Sequence, residues 1–205
     1  MDGHVSLDTY LRLLAPHYLQ DLETVLYLDV DLVVRHSILD IYAEPLNGAH
    51  LLAVPHASRH SGFFSSERGV SSYAALGIPG MTRTFNAGVM LLNLEKWRQT
   101  NTTERILRYL REYRETVLWW DQDGLNAILH DKWRPLHAKW NVMTSHCAEF
   151  KSWEDSLLDA DTFDSIKRDP GIIHYSSTSK PWTGDYTGPF KQEWEEALTE
   201  ADSER

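Results

Sequence analysis

Val25-Leu26-Tyr27-Leu28-Asp29-Val30-Asp31-Leu32-Val33-Val34 is the stretch whose reading decides the fold. Val25 to Leu28 is apolar at every position and made of residues that suit strands, which predicts a strand buried on both faces, as in a parallel sheet. A strand covered on both faces cannot carry two acids through its middle without a large desolvation cost. Asp29 and Asp31 are therefore expected where the strand ends at a cleft. Side chains two apart in an extended segment point the same way, so the pair can hold one hard cation between them. The plainer reading is that Asp is common in strand-terminating turns, and Asp-x-Asp alone is a weak motif.

The 205 residues suit a single domain spanning 1–205 with a sizeable core. Charge is one-signed: 20 Lys+Arg against 30 Asp+Glu gives −10, which argues against a nucleic-acid or anionic-membrane partner. An anionic ligand then needs local help from a metal, a helix N-terminus or a placed lysine. Cys147 is the only cysteine, so neither a disulfide framework nor a cysteine zinc site is expected, which fits a reducing, cytoplasmic setting. The start, Met1-Asp2-Gly3-His4, lacks the basic and apolar regions of a signal peptide. No apolar run of about 18 residues follows, so the chain reads as soluble and at most peripheral to a membrane. Eight Trp and nine Tyr are plentiful; aromatic faces suit sugar rings, although most serve as core or cleft wall.

Along the chain, Ser6 is placed to cap a helix with apolar positions at Leu7, Tyr10, Leu11 and Leu14, closed by Pro16. Arg35 to Tyr42 reads as a short helix or turn, and His50 to Val54 as a second short buried strand ended by Pro55. His56 to Thr84 is a long Ser- and Gly-rich excursion of the kind that forms lids or binding loops. Phe85-Asn86-Ala87-Gly88 leads into an apolar strand, Val89 to Leu94. Thr103 is expected to cap the following amphipathic helix and Asp121 the helix Gln122 to His130. A brief strand Trp133 to Leu136, a helix Asp161 to Arg168, the strand Ile172 to Tyr175 and a final helix starting at Pro189 complete the order.

Four strand-end loops carry polar residues: Asp29/Asp31, Asn86-Ala87-Gly88, Asp121-Gln122-Asp123 and His174 to Lys180. In an α/β sheet such loops converge on one cleft. Two carboxylates plus the imidazole of His174 would make a mixed oxygen and nitrogen site that suits Mn²⁺ better than Mg²⁺; alternatively His174 only hydrogen-bonds a carbonyl. Lys180, after a Ser/Thr-rich segment, can meet the charge of a phosphate, or is a solvated lysine on a turn. Asn86-Ala87-Gly88 lets a polar ligand approach the backbone, or is an ordinary tight turn. Asp121 serves either a ligand or only a helix cap.

Taken together, these segments resemble the retaining glycosyltransferases of family 8, which have the GT-A fold and include bacterial lipopolysaccharide galactosyl- and glucosyltransferases and the glycogenins. The matching stretches are Tyr10 to Pro16, Val25 to Val34, Phe85 to Trp97, Asp121-Gln122-Asp123-Gly124-Leu125-Asn126, and Ile172 to Tyr175 with Lys180-Pro181-Trp182. The resemblance implies an α/β fold with a mixed, mostly parallel sheet and flanking helices. It also implies transfer of galactose or glucose from a UDP-sugar to a saccharide or glycolipid acceptor. Asp29, Asp31 and His174 would ligate Mn²⁺ on the UDP diphosphate, with Lys180 on the phosphates and Arg12 near the donor. Asn86, Ala87 and Gly88 would lie against donor sugar or ribose, Asp121 would hold sugar hydroxyls, and Gln122 would stand beside the anomeric carbon.

Three departures accompany the resemblance. Only nine residues precede Tyr10, where the family has the first strands of its nucleotide-binding half. The domain reads as truncated on its N-terminal side, so the chain is a fragment, or a partner chain or oligomer covers the exposed sheet edge, or the uridine grip is weak. Ser177 stands where the family often has a phosphate-facing glycine, and Pro55-His56 where it has an acid. Two other functions compete. Asp29-Val30-Asp31-Leu32-Val33 also fits a haloacid-dehalogenase-like phosphatase, with Asp29 as nucleophile and Asp31 as acid/base. The other is a truncated, non-catalytic remnant that binds metal, sugar or a partner chain.

Overall fold

A computed structural model of the chain describes residues 7–203, so the cap expected at Ser6 lies outside the described residues. Leu7–Leu14 winds as a 3₁₀ helix into α1 (Ala15–Tyr18), followed by β1 (Thr24–Leu28), β2 (Leu32–Val34), α2 (Leu39–Tyr42) and β3 (Leu51–Pro55). After the excursion come β4 (Phe85–Asn93), α3 (Leu94–Gln99), α4 (Thr102–Glu112), α5 (Trp120–Leu129) and β5 (Trp133–Pro135). The chain ends with β6 (Val142–Met143), α6 (Thr144–Glu149), α7 (Ala160–Arg168), β7 (Ile172–His174) and α8 (Lys191–Ser203). No helix among the described residues is long and apolar enough to cross a membrane.

Two sheets form, a four-stranded one in the order β1-β4-β3-β5 and a three-stranded one in the order β2-β7-β6. The mixed α/β class is as expected, but the sheet is not mostly parallel: three of the five strand pairs are antiparallel. The reason lies in how the larger sheet is covered. Alternate residues of β4 feed opposite cores, Met90 and Leu92 packing with Leu13, Trp97, Ile106 and Leu125, and Val89 and Leu91 with Ile41, Trp140 and Ile172. A strand with two covered faces reads as an unbroken apolar run whatever its neighbours' direction. The sequence signal for parallel pairing was thus a signal for double coverage.

β1 contributes to both cores in the same way, Val25 and Tyr27 to one and Leu26 and Leu28 to the other, yet all of its residues are only half-buried. It lies at the sheet's end and, among the described residues, pairs only with β4. The amide of Leu26 on its outer edge donates to the hydroxyl of Tyr42 at 3.1 Å. Burial on both faces therefore needs correcting to a half-buried edge strand.

The final helix begins at Lys191 rather than Pro189, and three further helix ends differ, each for a local reason. Pro16 does not close the first helix; it sits in the first turn of α1, where a missing amide hydrogen costs nothing. Thr103 does not cap α4, because its hydroxyl donates to the carbonyl of Leu13 at 2.7 Å and Asn101 takes the cap position. Asp121 is inside α5 rather than ahead of it, and Asp123 reaches back to accept from the amides of Leu118 (2.7 Å) and Trp119 (3.3 Å). β4 also begins at Phe85, so Asn86, Ala87 and Gly88 are strand residues and not a turn. The excursion folds back on the helices, with Phe64, Val70 and Ile78 buried against Tyr109 and Ala127.

Burial pushes the carboxyl of Asp123 up to about 6, opposed only in part by its two amide donors. A carboxyl raised in the folded state gives stability that is full below its unfolded value, near 4, and is lost as pH rises through about 6. Relative to Asp123→Asn, wild-type unfolding free energy should fall by about 2 kcal/mol between pH 4 and pH 7. Urea unfolding across that range tests this, and parallel curves for the two proteins would contradict it.

Candidate active site

Backbone pairing assembles the site. At the end of β1 the amide of Asp29 donates to the carbonyl of Gly88 at 2.8 Å, and two residues on the amide of Tyr175 donates to the carbonyl of Asp31 at 2.9 Å. The turn 29–31 thus joins the two sheets, with Leu32 paired to His174 in β7. His174 Nε2 lies 3.3 Å from Asp31 Oδ1 and 3.8 Å from Asp29 Oδ2. One ligand atom from each of Asp29, Asp31 and His174 falls within 4.8 Å of the others. Two carboxylate oxygens and one imidazole nitrogen, on half-buried and buried residues, form a donor set that fits a divalent cation tolerant of nitrogen.

Gly88 makes this approach feasible. A Cβ there would stand 2.4 Å from His174 Cε1 and 2.8 Å from Nδ1, so no other residue fits beneath the ring. The carboxyl of Asp31 is pushed upward by burial, but the hydrogen bond and charge of His174, followed by those of Lys180, outweigh this and hold it well below the usual range. Lys180 Nζ donates to Asp31 Oδ2 at 2.7 Å and to the carbonyl of Tyr175, which anchors the loop after β7 on the acidic pair. Lys180 also lies 5.7 Å from the ring centre of Trp182.

Arg12 forms a second hub. From the 3₁₀ helix it reaches Asp29 Oδ1 (3.1 Å), the carbonyl of Ala87 (2.8 Å) and the face of Tyr27 (4.4 Å), while Tyr27 donates to the same Asp29 oxygen at 2.7 Å. Arg12 Nε stands 3.0 Å from Asp121 Oδ2 but is aligned on the carbonyl of Thr9. Asp121 Oδ1 accepts from the hydroxyl of Thr9 at 2.7 Å, and Oδ2 is left buried without an aligned donor. Burial pushes the Asp121 carboxyl up, and the charge of Arg12 opposes it.

A chain of amides connects these parts. Asn86 Oδ1 accepts from the amide of Gly88 (2.9 Å) and from Asn141 Nδ2 (2.7 Å), while Asn141 Oδ1 meets His174 Nδ1 at 2.9 Å. Gln122 Oε1 accepts from Asn86 Nδ2 (3.1 Å) and from the amide of Ala87 (3.0 Å). Gln122 is carried here because Asn126, one turn on, brackets Phe85 through its amide and carbonyl at 2.9 and 3.0 Å. Gln122 Nε2 faces His56 Nε2 at 3.4 Å. Burial, then neighbouring His146, push the His56 imidazole down to about 3, so it is neutral.

Asp29, Asp31, His174, Lys180, Arg12, Asn86, Ala87, Gly88, Asp121 and Gln122 are therefore linked by direct contacts. Ser177 is not, since its hydroxyl turns to the carbonyl of Ser179 at 2.7 Å. Sequence reasoning gave no role to Thr9, Tyr27, Asn126 or Asn141. Asn126 was detectable as the residue one turn beyond Gln122, whereas Asn141 carries no local signal.

The model of the family described as Glycosyl transferase family 8 matches residues 2–185. The chain is 27% identical over 196 residues to general stress protein A of Bacillus subtilis (strain 168), covering 94% of this chain and 65% of that protein. It is 30% identical over 200 residues to glycosyltransferase GlyD of Streptococcus pneumoniae serotype 4 (strain ATCC BAA-334 / TIGR4), covering 93% and 21%. The crystal structure of galactosyltransferase LgtC in complex with donor and acceptor sugar analogs superposes with a TM-score of 0.73 at 28% identity, covering 94% and 66%. The chain spans less than two thirds of the length of each of these three.

Gly88→Ala should displace the His174 ring and weaken Mn²⁺ binding at least ~10-fold, with an overpacking cost of about 1–3 kcal/mol in stability. Calorimetric titration with MnCl₂ measures the first quantity and thermal unfolding the second. An unchanged Mn²⁺ affinity would mean that the ring is not part of a cation site.

Proposed function

The chain belongs to glycosyl transferase family 8, and from that premise we propose that it is a retaining hexosyltransferase moving galactose or glucose from a UDP-sugar to a saccharide or glycolipid acceptor. One observation carries the reading: Asp29, Asp31 and His174 bring their ligand atoms within 4.8 Å of one another, with Lys180 on the rim. Mn²⁺ bound to these three would neutralise charge developing on the departing diphosphate. This chain's own residues supply the rest. Lys180 and the 176–180 loop, Ser177 through its backbone amide, would hold the phosphates, and Arg12 fixes Asp29 and the backbone of Ala87 under the donor. Asn86, Ala87 and Gly88 lie against the donor sugar or ribose.

Asp121 is suited to hold a sugar hydroxyl, because its buried Oδ2 lacks an aligned hydrogen-bond donor. Gln122 stands beside the anomeric carbon. Its Oε1 already accepts two hydrogen bonds, which supports a neutral, orienting role rather than that of a nucleophile. Retention then follows same-face attack: the acceptor oxygen bonds to the anomeric carbon as the bond to phosphate breaks, and the hydroxyl proton passes to the departing phosphate oxygen. Asp29 is engaged on one oxygen by Arg12 and Tyr27, which disfavours the phosphatase reading with Asp29 as attacking group. The whole reading extends to a single domain over 1–205 acting in the cytoplasm. Among the described residues no strand pairs with the outer edge of β1, which supports a strand from a partner chain or oligomer docking there.

UDP release from UDP-galactose or UDP-glucose with Mn²⁺ and without it is the direct test. Asp31→Ala should lower the Mn²⁺-dependent rate by about 10²-fold or more while thermal unfolding changes little; full activity in this variant removes Asp31 from the chemistry. Lys180→Ala should weaken UDP-sugar binding about tenfold, the scale of one charged hydrogen bond. Donor affinity equal to wild type would detach Lys180 from the phosphates. Donor binding without turnover would favour the non-catalytic remnant, and hydrolysis of p-nitrophenyl phosphate the phosphatase.

A further inference from the structure

We propose that Asn141 is a positioning residue that locks the cation ligand His174 and the donor-side residue Asn86 into one hydrogen-bond sense, an inference that rests on the site reading above. Backbone amides can only donate, and two of them set the direction of the whole network. The amide of Gly88, 2.9 Å from one end of the Asn86 side chain, makes that end the carbonyl oxygen. The amide of Ala87, 3.0 Å from Gln122, does the same for Gln122 Oε1, and the NH₂ of Asn86 then donates to that oxygen at 3.1 Å. Both assignments agree.

Asn86 Oδ1 therefore requires a donor from Asn141 at 2.7 Å, which can only be Nδ2. The other end of Asn141 is left as an acceptor, 2.9 Å from His174 Nδ1, and that nitrogen must carry the hydrogen. Nε2, the atom facing Asp31 and Asp29, is then the nitrogen that can offer a lone pair to a cation that takes the place of its proton. Reversing Asn141 would set oxygen against oxygen at Asn86 and NH₂ against N–H at His174. With Asn141 5% and His174 4% exposed, water cannot repair either contact.

The backbone of Asn141 is itself fixed beside β7. It closes the 3₁₀ turn Ala138–Asn141, whose Lys139 carbonyl accepts from the amide of Gly171 at 2.9 Å, one residue before the strand. One carboxamide thus serves two arms, the imidazole that would hold the cation and the amide that would face the donor sugar. Hydrogen bonds to the far nitrogen of a ligating histidine commonly contribute 10- to 100-fold in metal affinity.

The two arms are separable by substitution. Asn141→Asp keeps an acceptor for His174 Nδ1–H but sets a carboxylate oxygen against Asn86 Oδ1; Asn141→Leu keeps the volume and loses both arms. Each variant is checked for folding by circular dichroism and titrated with MnCl₂ alone, then with UDP-galactose in saturating Mn²⁺. For Asn141→Asp we expect Mn²⁺ affinity within about threefold of wild type or tighter, and donor affinity reduced about tenfold or more. For Asn141→Leu we expect Mn²⁺ affinity reduced by at least ~10-fold. If both variants lose stability but leave both affinities within twofold, Asn141 is only structural and the proposal fails. Should the leucine variant not fold, the aspartate variant decides alone: equal loss of both affinities, or loss of neither, overturns the proposal. Absence of Mn²⁺ binding by the wild type is a different result, which brings down the cation reading itself.

Discussion

Two backbone hydrogen bonds, from Asp29 to Gly88 and from Tyr175 to Asp31, are the constraint on which the rest depends. They continue the β1–β4 and β2–β7 ladders one step past their formal ends, so a three-residue turn belongs to both sheets at once. Backbone pairing of this kind leaves little positional freedom, and three side chains from residues 29, 31 and 174 meet as a result. The turn places both carboxylates beside His174 Nε2, at 3.8 Å for Asp29 and 3.3 Å for Asp31. The cost of gathering two negative charges on a half-buried turn is met by cations from outside the turn, Arg12 on Asp29 and Lys180 on Asp31. Remove the pairing and the same side chains become ordinary surface acids.

The second organising element is polar and buried. Asn126 fastens α5 to the start of β4, which sets Gln122 against Asn86 and Ala87 and leads through Asn141 to His174. A carboxamide can donate and accept, so a run of them transmits direction as well as position. Elements distant in sequence, the 3₁₀ turn at residues 138–141 and the strand at 172–174, are thereby held in register with a helix that carries no ladder of its own.

Much of this was legible in the sequence, and what was missed follows a pattern. Asp29, Asp31 and His174 could be singled out because acids and a histidine at the ends of apolar runs conflict with burial, and the conflict marks a cleft. Sheet direction was not legible, because the apolar runs Val25–Leu28 and Val89–Leu92 record only that each face meets an apolar core, whichever way the neighbouring strands run. Caps were misread at Thr103 and Asp121 for a related reason: both have the right side chain beside a helix start, yet each finds a stronger partner across the fold, in Leu13 and in Arg12 with Thr9. Asn141 was invisible, since a lone asparagine after a tryptophan has no period and no spacing. Its role exists only once β7 is folded beside it.

Lys180 in its bond to Asp31 acts as a resident counter-ion. The Asp31 side of the acidic turn is thereby charge-balanced by the chain itself. The same lysine leads into Trp182, whose ring tilts against Trp194 of α8 with 5.2 Å between ring centres, so one short stretch of chain ties the acidic turn to the last helix.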